Sequence, residues 1–144
     1  MGNIDKNVLK NIYQSSKIGL ESSKYLYTKI TDRDIKSQLN NYVKRYLQIL
    51  TQTEELLKGI YNNIDTVSTK RQFMWNEINN IKSFTDKEEI ARLLMSGSKE
   101  GISRIIPYSN NDMVDDNIKK LANNYIMCEK DNINNVLKYI DNDK

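Results

Sequence analysis

The stretch RDIKSQLNNYVKRYLQILTQTEELLKGIY, residues 33–61, decides the fold class. Within this stretch, one set of mostly apolar residues recurs at alternating steps of four and three, which is the spacing of one face of an α-helix. We call such a set a stripe. The members of this stripe are Ile35, Leu39, Tyr42, Tyr46, Ile49, Thr53, Leu56 and Ile60. A second stripe beside it consists of Val43, Leu47, Leu50, Glu54, Leu57 and Tyr61. Because a face this wide contacts two neighbours, the pattern predicts a helical bundle rather than an isolated helix pair.

Similar stripes predict three more long helices, from Asn3 to Ile30, from Asp86 to Ile106 and from Met113 to Ile140. Thr31 or Asp32 can cap the second helix, and Thr85-Asp86 can cap the third. The junction between the first two helices is short, so we expect them to form an antiparallel hairpin.

The connection from Asn62 to Thr85 is long by comparison and contains a short amphipathic segment at residues 69–83. It is long enough to travel the length of a bundle, which would make the second and third long helices parallel. One long crossover in the middle of a four-helix bundle is the ferritin-like arrangement. We therefore expect residues 1–144 to form a single all-α domain of this kind.

The composition excludes several classes. The chain has one proline and five glycines, too few for the turns of an all-β protein of 144 residues. Its net charge of +3 is spread over mixed charges without a basic block, so no nucleic-acid partner is expected. No apolar run approaches the ~20 residues of a membrane span, and the N-terminus does not resemble a signal peptide, so we expect a cytoplasmic protein. With one cysteine, the chain cannot form an internal disulfide. With no histidine, it lacks the commonest catalytic base and metal ligand.

Several segments resemble a known family. Ile12–Leu57 looks like the first hairpin of small bacterial ferritin-like proteins of unknown function, some of them linked with spore formers. Trp75-Asn76-Glu77-Ile78, Thr85-Asp86-Lys87 and the run MSGSKEGI at residues 95–102 look like the crossover and third helix of that family. The resemblance implies a ferritin-like fold and a role in sporulation or stress.

Ferritin-like diiron proteins place one Glu on each of two helices and Glu-x-x-His on the other two. Here Glu54 and Glu129 lie within apolar stripes, but Leu57 and Asn132 occupy the histidine positions. Glu21 precedes Glu54 at a plausible spacing and falls off the main stripe. These three glutamates are weak candidates for metal ligands, and the sequence predicts no bound metal and no cofactor.

A glutamate in an apolar stripe needs a partner when it is buried. Tyrosine hydroxyls or a lysine are the expected partners of Glu54 and Glu129. The tyrosines on core stripes are Tyr13, Tyr27, Tyr42, Tyr46 and Tyr125. Cys128 lies on a core stripe without an activating neighbour, so it is expected to be an inert packing residue. Gly97-x-x-x-Gly101 indicates a close helix contact, with a ligand-binding kink as the alternative.

Phe73-Met74-Trp75 is an apolar cluster on the crossover, and it either covers the bundle or forms a dimer contact. We expect a homodimer through this cluster. The leading functional hypothesis is a non-enzymatic protein that acts through protein association. The first alternative is a metal-binding or oxidative-stress protein with a degenerate carboxylate site. The second is a small-ligand binder with a pocket lined by Gly97, Gly101 and the tyrosines.

Overall fold

The computed structural model describes residues 2–58 and 76–140. Every regular element in these two ranges is helical, which confirms the predicted all-α class. The four long helices are α1 (Asn3–Lys29), α2 (Arg33–Leu57), α3 (Lys87–Ile105) and α4 (Asp116–Val136). Single 3-10 turns, Ile106–Tyr108 and Leu137–Tyr139, follow α3 and α4.

Two of the predicted caps are present. The Asp32 side chain accepts a hydrogen bond of 3.0 Å from the backbone N–H of Ile35 at the start of α2. The Asp86 side chain accepts one of 3.1 Å from the backbone N–H of Glu89 at the start of α3. Each aspartate satisfies one of the backbone donors that a helix start leaves unpaired, so both helices begin where the sequence predicts.

The last helix is shorter than the sequence predicts. It begins at Asp116 rather than Met113, because Asp115 is the N-cap and its carboxylate accepts from the backbone N–H two residues further on. It ends at Val136 rather than Ile140, because the backbone tightens into the 3-10 turn there. For α4, the limits read from the apolar spacing are therefore a few residues too long at both ends.

The directions of the helices follow from contacts between them. Gln38 on α2 bonds Asn135 on α4, and Arg45 on α2 pairs with Asp131, so α2 and α4 are antiparallel. The starts of α2 and α3 lie together, because Lys87 Nζ is 2.9 Å from a carboxylate oxygen of Asp32. As a result α2 and α3 run in the same direction, and the end of α2 and the start of α3 lie at opposite ends of the bundle.

The starts of α1 and α4 also lie together. The Asp5 side chain in the first turn of α1 accepts a 2.9 Å hydrogen bond from the backbone N–H of Asp115, the N-cap of α4. These two helices therefore run in the same direction as each other and opposite to the other pair. Within the described residues, α1–α2 and α3–α4 are each antiparallel hairpins.

Part of the predicted crossover falls outside the described residues. Residues 76–79 form a helical turn, and Ile78 within it is buried. Phe73, Met74 and Trp75, with the dimer contact predicted for them, lie outside the described ranges. None of the described helices has both the length and the apolar character needed to cross a membrane.

One continuous core receives side chains from all four long helices. Its largest fully buried members are Tyr125, Leu9, Ile12, Leu26, Ile35, Leu39, Leu57, Ile78, Ile90, Ile105, Ile118 and Val8. Tyr13, Tyr42, Tyr46 and Tyr125 are buried as predicted. The expectation for Tyr27 is wrong, because its side chain is 41% exposed near the end of α1 and stacks with the Lys36 ammonium 4.5 Å from the ring centre.

Candidate functional site

The middle of the bundle holds a buried carboxylate. Glu129 on α4 is only 2% exposed and accepts hydrogen bonds from four side chains. Tyr46 Oη and Tyr125 Oη donate over 2.7 Å each, one to Oε1 and the other to Oε2. Ser98 Oγ and Asn132 Nδ2 donate to Oε1 over 3.0 and 2.9 Å. We call these five residues, contributed by α2, α3 and α4, the Glu129 cluster.

Among the residues that the structure describes, the hydrogen bonds to Glu129 come from neutral side chains. A carboxylate offers about four lone-pair sites, two on each oxygen. Three of the four donors bond Oε1, and Tyr125 bonds Oε2. Among the described residues, no lysine or arginine forms an ion pair with it. Burial raises the pKa of Glu129 above its usual range, and the four hydrogen bonds offset only part of that rise. The site therefore favours the protonated carboxyl more than water does.

The hydroxyl groups of both tyrosines in the cluster stay protonated. Burial, reinforced by the neighbouring Glu129 charge, raises the pKa of Tyr46 and of Tyr125 well above the usual value. Tyr42, next to the cluster, also has a raised pKa for the same two reasons, and its hydroxyl donates to the backbone oxygen of Asn132 over 3.0 Å. All three tyrosines act as hydrogen-bond donors, Tyr46 and Tyr125 to the carboxylate and Tyr42 to the backbone of Asn132.

Two glycines give the tyrosines room. A Cβ added at Gly19 on α1 would collide with the ring of Tyr46, and one added at Gly101 on α3 would collide with the hydroxyl of Tyr125. The close contact predicted around Gly101 is therefore a contact between a helix backbone and a tyrosine. Neither residue has the positive φ that would itself require glycine.

A narrow cavity beside the cluster is lined by residues of all four long helices. Its volume is about 30 Å³, and its walls are Ser15, Ile18, Gly19, Ser22, Ser23, Tyr42, Tyr46, Leu94, Gly97, Ser98, Arg104, Tyr125 and Glu129. Of the predicted pocket walls, Gly97 and three tyrosines are present, whereas Gly101 is not among them. The cavity has room for about one water molecule, far less than the ~300 Å³ or more of typical organic-ligand sites.

The structure separates the three candidate metal ligands. Glu129 is in the core, and its burial and its tyrosine partners are confirmed. Glu54 is exposed, which corrects the expectation that it lies in the core. Glu21 is half-buried on α1 and pairs with Lys17 on its own helix over 3.8 Å. In the described part of the chain, no group of three or more His, Cys, Asp or Glu side chains could hold a metal ion.

The error at Glu54 has a physical cause. The first stripe of α2 faces the core, whereas the second stripe follows the edge of the buried face. Leu50 and Leu57 of that stripe are buried, but Leu47 is 48% exposed and Glu54 is exposed beside them. A periodic pattern gives the width of an apolar face only to within about one residue on each side.

Ser98 and Asn132 are cluster members that the sequence did not identify as such. Ser98 lies four residues after Leu94 and three before Gly101, so it is on the same face of α3 as those two residues. Asn132 is one helical turn beyond Glu129, at the position where a diiron protein carries histidine. Their positions on core-facing sides of the helices could have indicated that they bond a buried group. Small polar residues also occur at such positions without partners.

Cys128 lies next to Glu129 and is buried. Burial, followed by the nearby Glu129 charge, raises the pKa of its thiol to about 12. Since the thiolate is the reactive form, we expect the native protein to react with an aromatic disulfide reagent at least ~100-fold more slowly than the unfolded chain. The measurement is thiol release with and without guanidinium, and fast reaction of the native protein would contradict the described burial.

Comparison with protein-family models, curated proteins and solved structures gives no significant match. The class of protein is therefore defined by the fold and the site of the described residues. They form an all-helical bundle of four long helices with a hydrogen-bonded carboxylate at its centre.

Proposed function

We propose that this protein is a non-enzymatic bundle of ferritin-like topology that acts in the cytoplasm through protein association, as a homodimer. The parallel directions of α2 and α3 support the ferritin-like arrangement, since such a bundle needs one long crossover. The resemblance noted in the sequence adds sporulation or stress as the setting.

The interior favours association over small-molecule binding. The cavity beside Glu129 accommodates about one water molecule. Four side-chain donors already bond the buried carboxylate of Glu129. A substrate or a metal ion would have to displace these bonds, which makes the surface of the bundle the better candidate for recognition.

A groove on the outer face between α2 and α4 carries the proposal. Its volume is about 720 Å³, and two large apolar side chains project beside it, Leu47 from α2 and Met127 from α4. They are 48% and 55% exposed. Its other walls are Arg45, Gln48, Ile49, Thr51, Gln52, Asn124 and Cys128. An exposed apolar pair with a rim of neutral amides has the composition of a protein interface.

The groove suits a second copy of the same chain. In a two-fold dimer the same surface meets itself, so any uncompensated charge on it would face an equal charge. Arg45 is the charged residue among those lining the groove, and Asp131 neutralises it at 3.1 Å. Leu47 of one copy can then pack against Met127 of the other without repulsion.

Substitution in the groove tests this proposal. Leu47→Lys and Met127→Lys each place a charge where two copies would meet, so we expect both variants to be monomers at concentrations where the wild-type protein is a dimer. The dissociation constant of the dimer should rise at least ~10-fold, since burying an unpaired charge costs more than ~1.4 kcal/mol. Sedimentation equilibrium between about 1 and 200 µM gives the masses.

The control is Met113→Lys, which adds the same charge at a more exposed methionine away from the groove and should leave the dimer intact. Trp75→Ser tests the crossover cluster in the same way. Dissociation by Trp75→Ser alone would move the interface to residues 73–75. A monomeric wild-type protein over the whole range would refute the homodimer.

A further inference from the structure

The groove proposed as the dimer contact continues in both directions along α2 and α4. Arg45, a wall of the central hollow, also belongs to a second hollow of about 280 Å³ that Lys44 lines. Gln52, at the other side of the central hollow, also belongs to a third hollow of about 250 Å³ that Glu55 and Lys120 line. We call the three hollows together the α2–α4 groove. A surface this long offers more than its apolar centre for recognition.

The two ends of the α2–α4 groove carry opposite charges on each helix. On α2, Lys44 lies at the first end and Glu55 at the second. On α4 the order is reversed. Asp131 lies at the first end, where it pairs with Arg45, and Lys120 lies at the second end. Each end of the groove therefore has a positive side and a negative side.

Three of these charges can pair with a second molecule. Within residues 2–58 and 76–140, Lys44, Glu55 and Lys120 take part in no ion pair. All three side chains are exposed. Exposed ion pairs contribute little free energy, whereas like charges brought together at an interface cost more. The charges of the groove are therefore suited to selecting the orientation of a partner.

The register of α2 and α4 places matching residues at the same level of the bundle. The antiparallel helices are held at fixed levels by the ion pair and the tyrosine hydrogen bond between them. Counted along both helices from these contacts, Leu47 lies at the level of Met127. Further on, Glu55 lies at the level of Lys120, in agreement with the hollow that they share. An apolar pair and an oppositely charged pair therefore flank the groove at two levels.

We propose that two copies meet across the α2–α4 groove about a two-fold axis parallel to the helices, so that α2 of each copy lies against α4 of the other. This arrangement presupposes the homodimer proposed above. Such an axis exchanges α2 and α4 but leaves the level along the bundle unchanged. Leu47 of one copy then packs against Met127 of the other. Glu55 of one copy pairs with Lys120 of the other, and the symmetry makes this pair occur twice.

The other face-to-face arrangement fits the groove less well. A two-fold axis perpendicular to the helices places α2 against α2 and α4 against α4. Its charges are complementary when Lys44 meets Glu55 of the second copy. In that register Leu47 meets Gln52, so an apolar side chain covers a polar amide. Of the two arrangements, the axis parallel to the helices is the one that joins the apolar pair and the opposite charges at the same time.

Charge reversal tests this arrangement. Glu55→Lys and Lys120→Glu each turn the two attractive contacts of the dimer into repulsive ones, so each variant alone should have a dissociation constant at least ~10-fold above that of the wild type. Mixed in equal amounts, the two variants should recover the wild-type dissociation constant. The introduced lysine of one then meets the introduced glutamate of the other, and the unchanged Lys120 meets the unchanged Glu55. Sedimentation equilibrium of each variant and of the mixture gives the masses.

Two matched controls make the same charge changes outside the groove. Glu54→Lys on α2 and Lys130→Glu on α4 replace exposed side chains that line none of the three hollows. Both variants should leave the dimer intact. Circular dichroism checks that every variant keeps the helical fold.

The outcomes separate this arrangement from the homodimer itself. If the wild type is a dimer and the single variants dimerise equally well, the ends of the groove do not meet and the arrangement is wrong. A mixture of Glu55→Lys and Lys120→Glu that stays monomeric contradicts the pairing of these two residues. Recovery of the dimer by mixing Glu55→Lys with Lys44→Glu instead would place α2 against α2. A wild type that is monomeric between about 1 and 200 µM refutes the homodimer, and this arrangement with it.

Discussion

Replacing Glu129 by leucine is expected to lower the free energy of unfolding by about 3–5 kcal/mol. Apolar replacement of a buried carboxylate is often neutral or stabilising when its partners are removed with it. Here four donors would remain in the core, from Tyr46, Ser98, Tyr125 and Asn132. Each buried donor without an acceptor costs ~1–3 kcal/mol, and only part of this can be recovered through other acceptors such as Ser15.

Chemical denaturation at neutral pH measures the effect. Glu54→Leu is the matched control, because the same change on an exposed part of α2 should stay within about 0.5 kcal/mol. If Glu129→Leu proved as stable as the wild type, the four hydrogen bonds could not be contributing as described, and apolar packing alone would hold the centre of the bundle.

Gly101→Ala is expected to destabilise the protein by about 1–3 kcal/mol, although helix propensity alone would make the change favourable by up to ~1 kcal/mol. The added methyl group collides with the hydroxyl of Tyr125, so it either displaces that tyrosine from Glu129 or separates α3 from α4. Gly19→Ala, whose methyl group would collide with the ring of Tyr46, should behave in the same way.

Gly2→Ala gives the comparison, because a methyl group there contacts nothing within 4 Å. Thermal unfolding of the three variants is sufficient. If Gly101→Ala stabilised the protein, the gain in helix propensity would outweigh the collision with Tyr125. The Tyr125 hydroxyl could then move without cost.

The helical class and the order of the helices could be predicted from the sequence because both depend on local patterns. Spacings of three and four residues place the stripe from Ile35 to Thr53 on one face of α2, whichever helices pack against it. Asp32 and Asp86 mark helix starts through bonds to their own backbone. Even the parallel directions of α2 and α3 depend on one local quantity, the length of the connection between them.

The site was only partly predictable because it depends on how the helices are rotated against each other. Glu54 and Glu129 have equivalent positions in their stripes, yet only Glu129 faces the centre. No local signal separates a residue at the edge of an apolar face from one in its middle. The partners of Glu129 also come from α2 and α3, which lie more than 30 residues away along the chain.

The apolar stripes leave one ambiguity that the Glu129 cluster resolves. Because each stripe repeats along its helix, the α1–α2 hairpin could slide against α3–α4 by one turn, about 5.4 Å, and still bury leucine against isoleucine. Such a slip would carry Tyr46 away from Glu129 and remove the one of its four donors that comes from the other hairpin. The cluster therefore favours one register of the two hairpins among several that the apolar faces allow. It can do so only after the two hairpins have packed together.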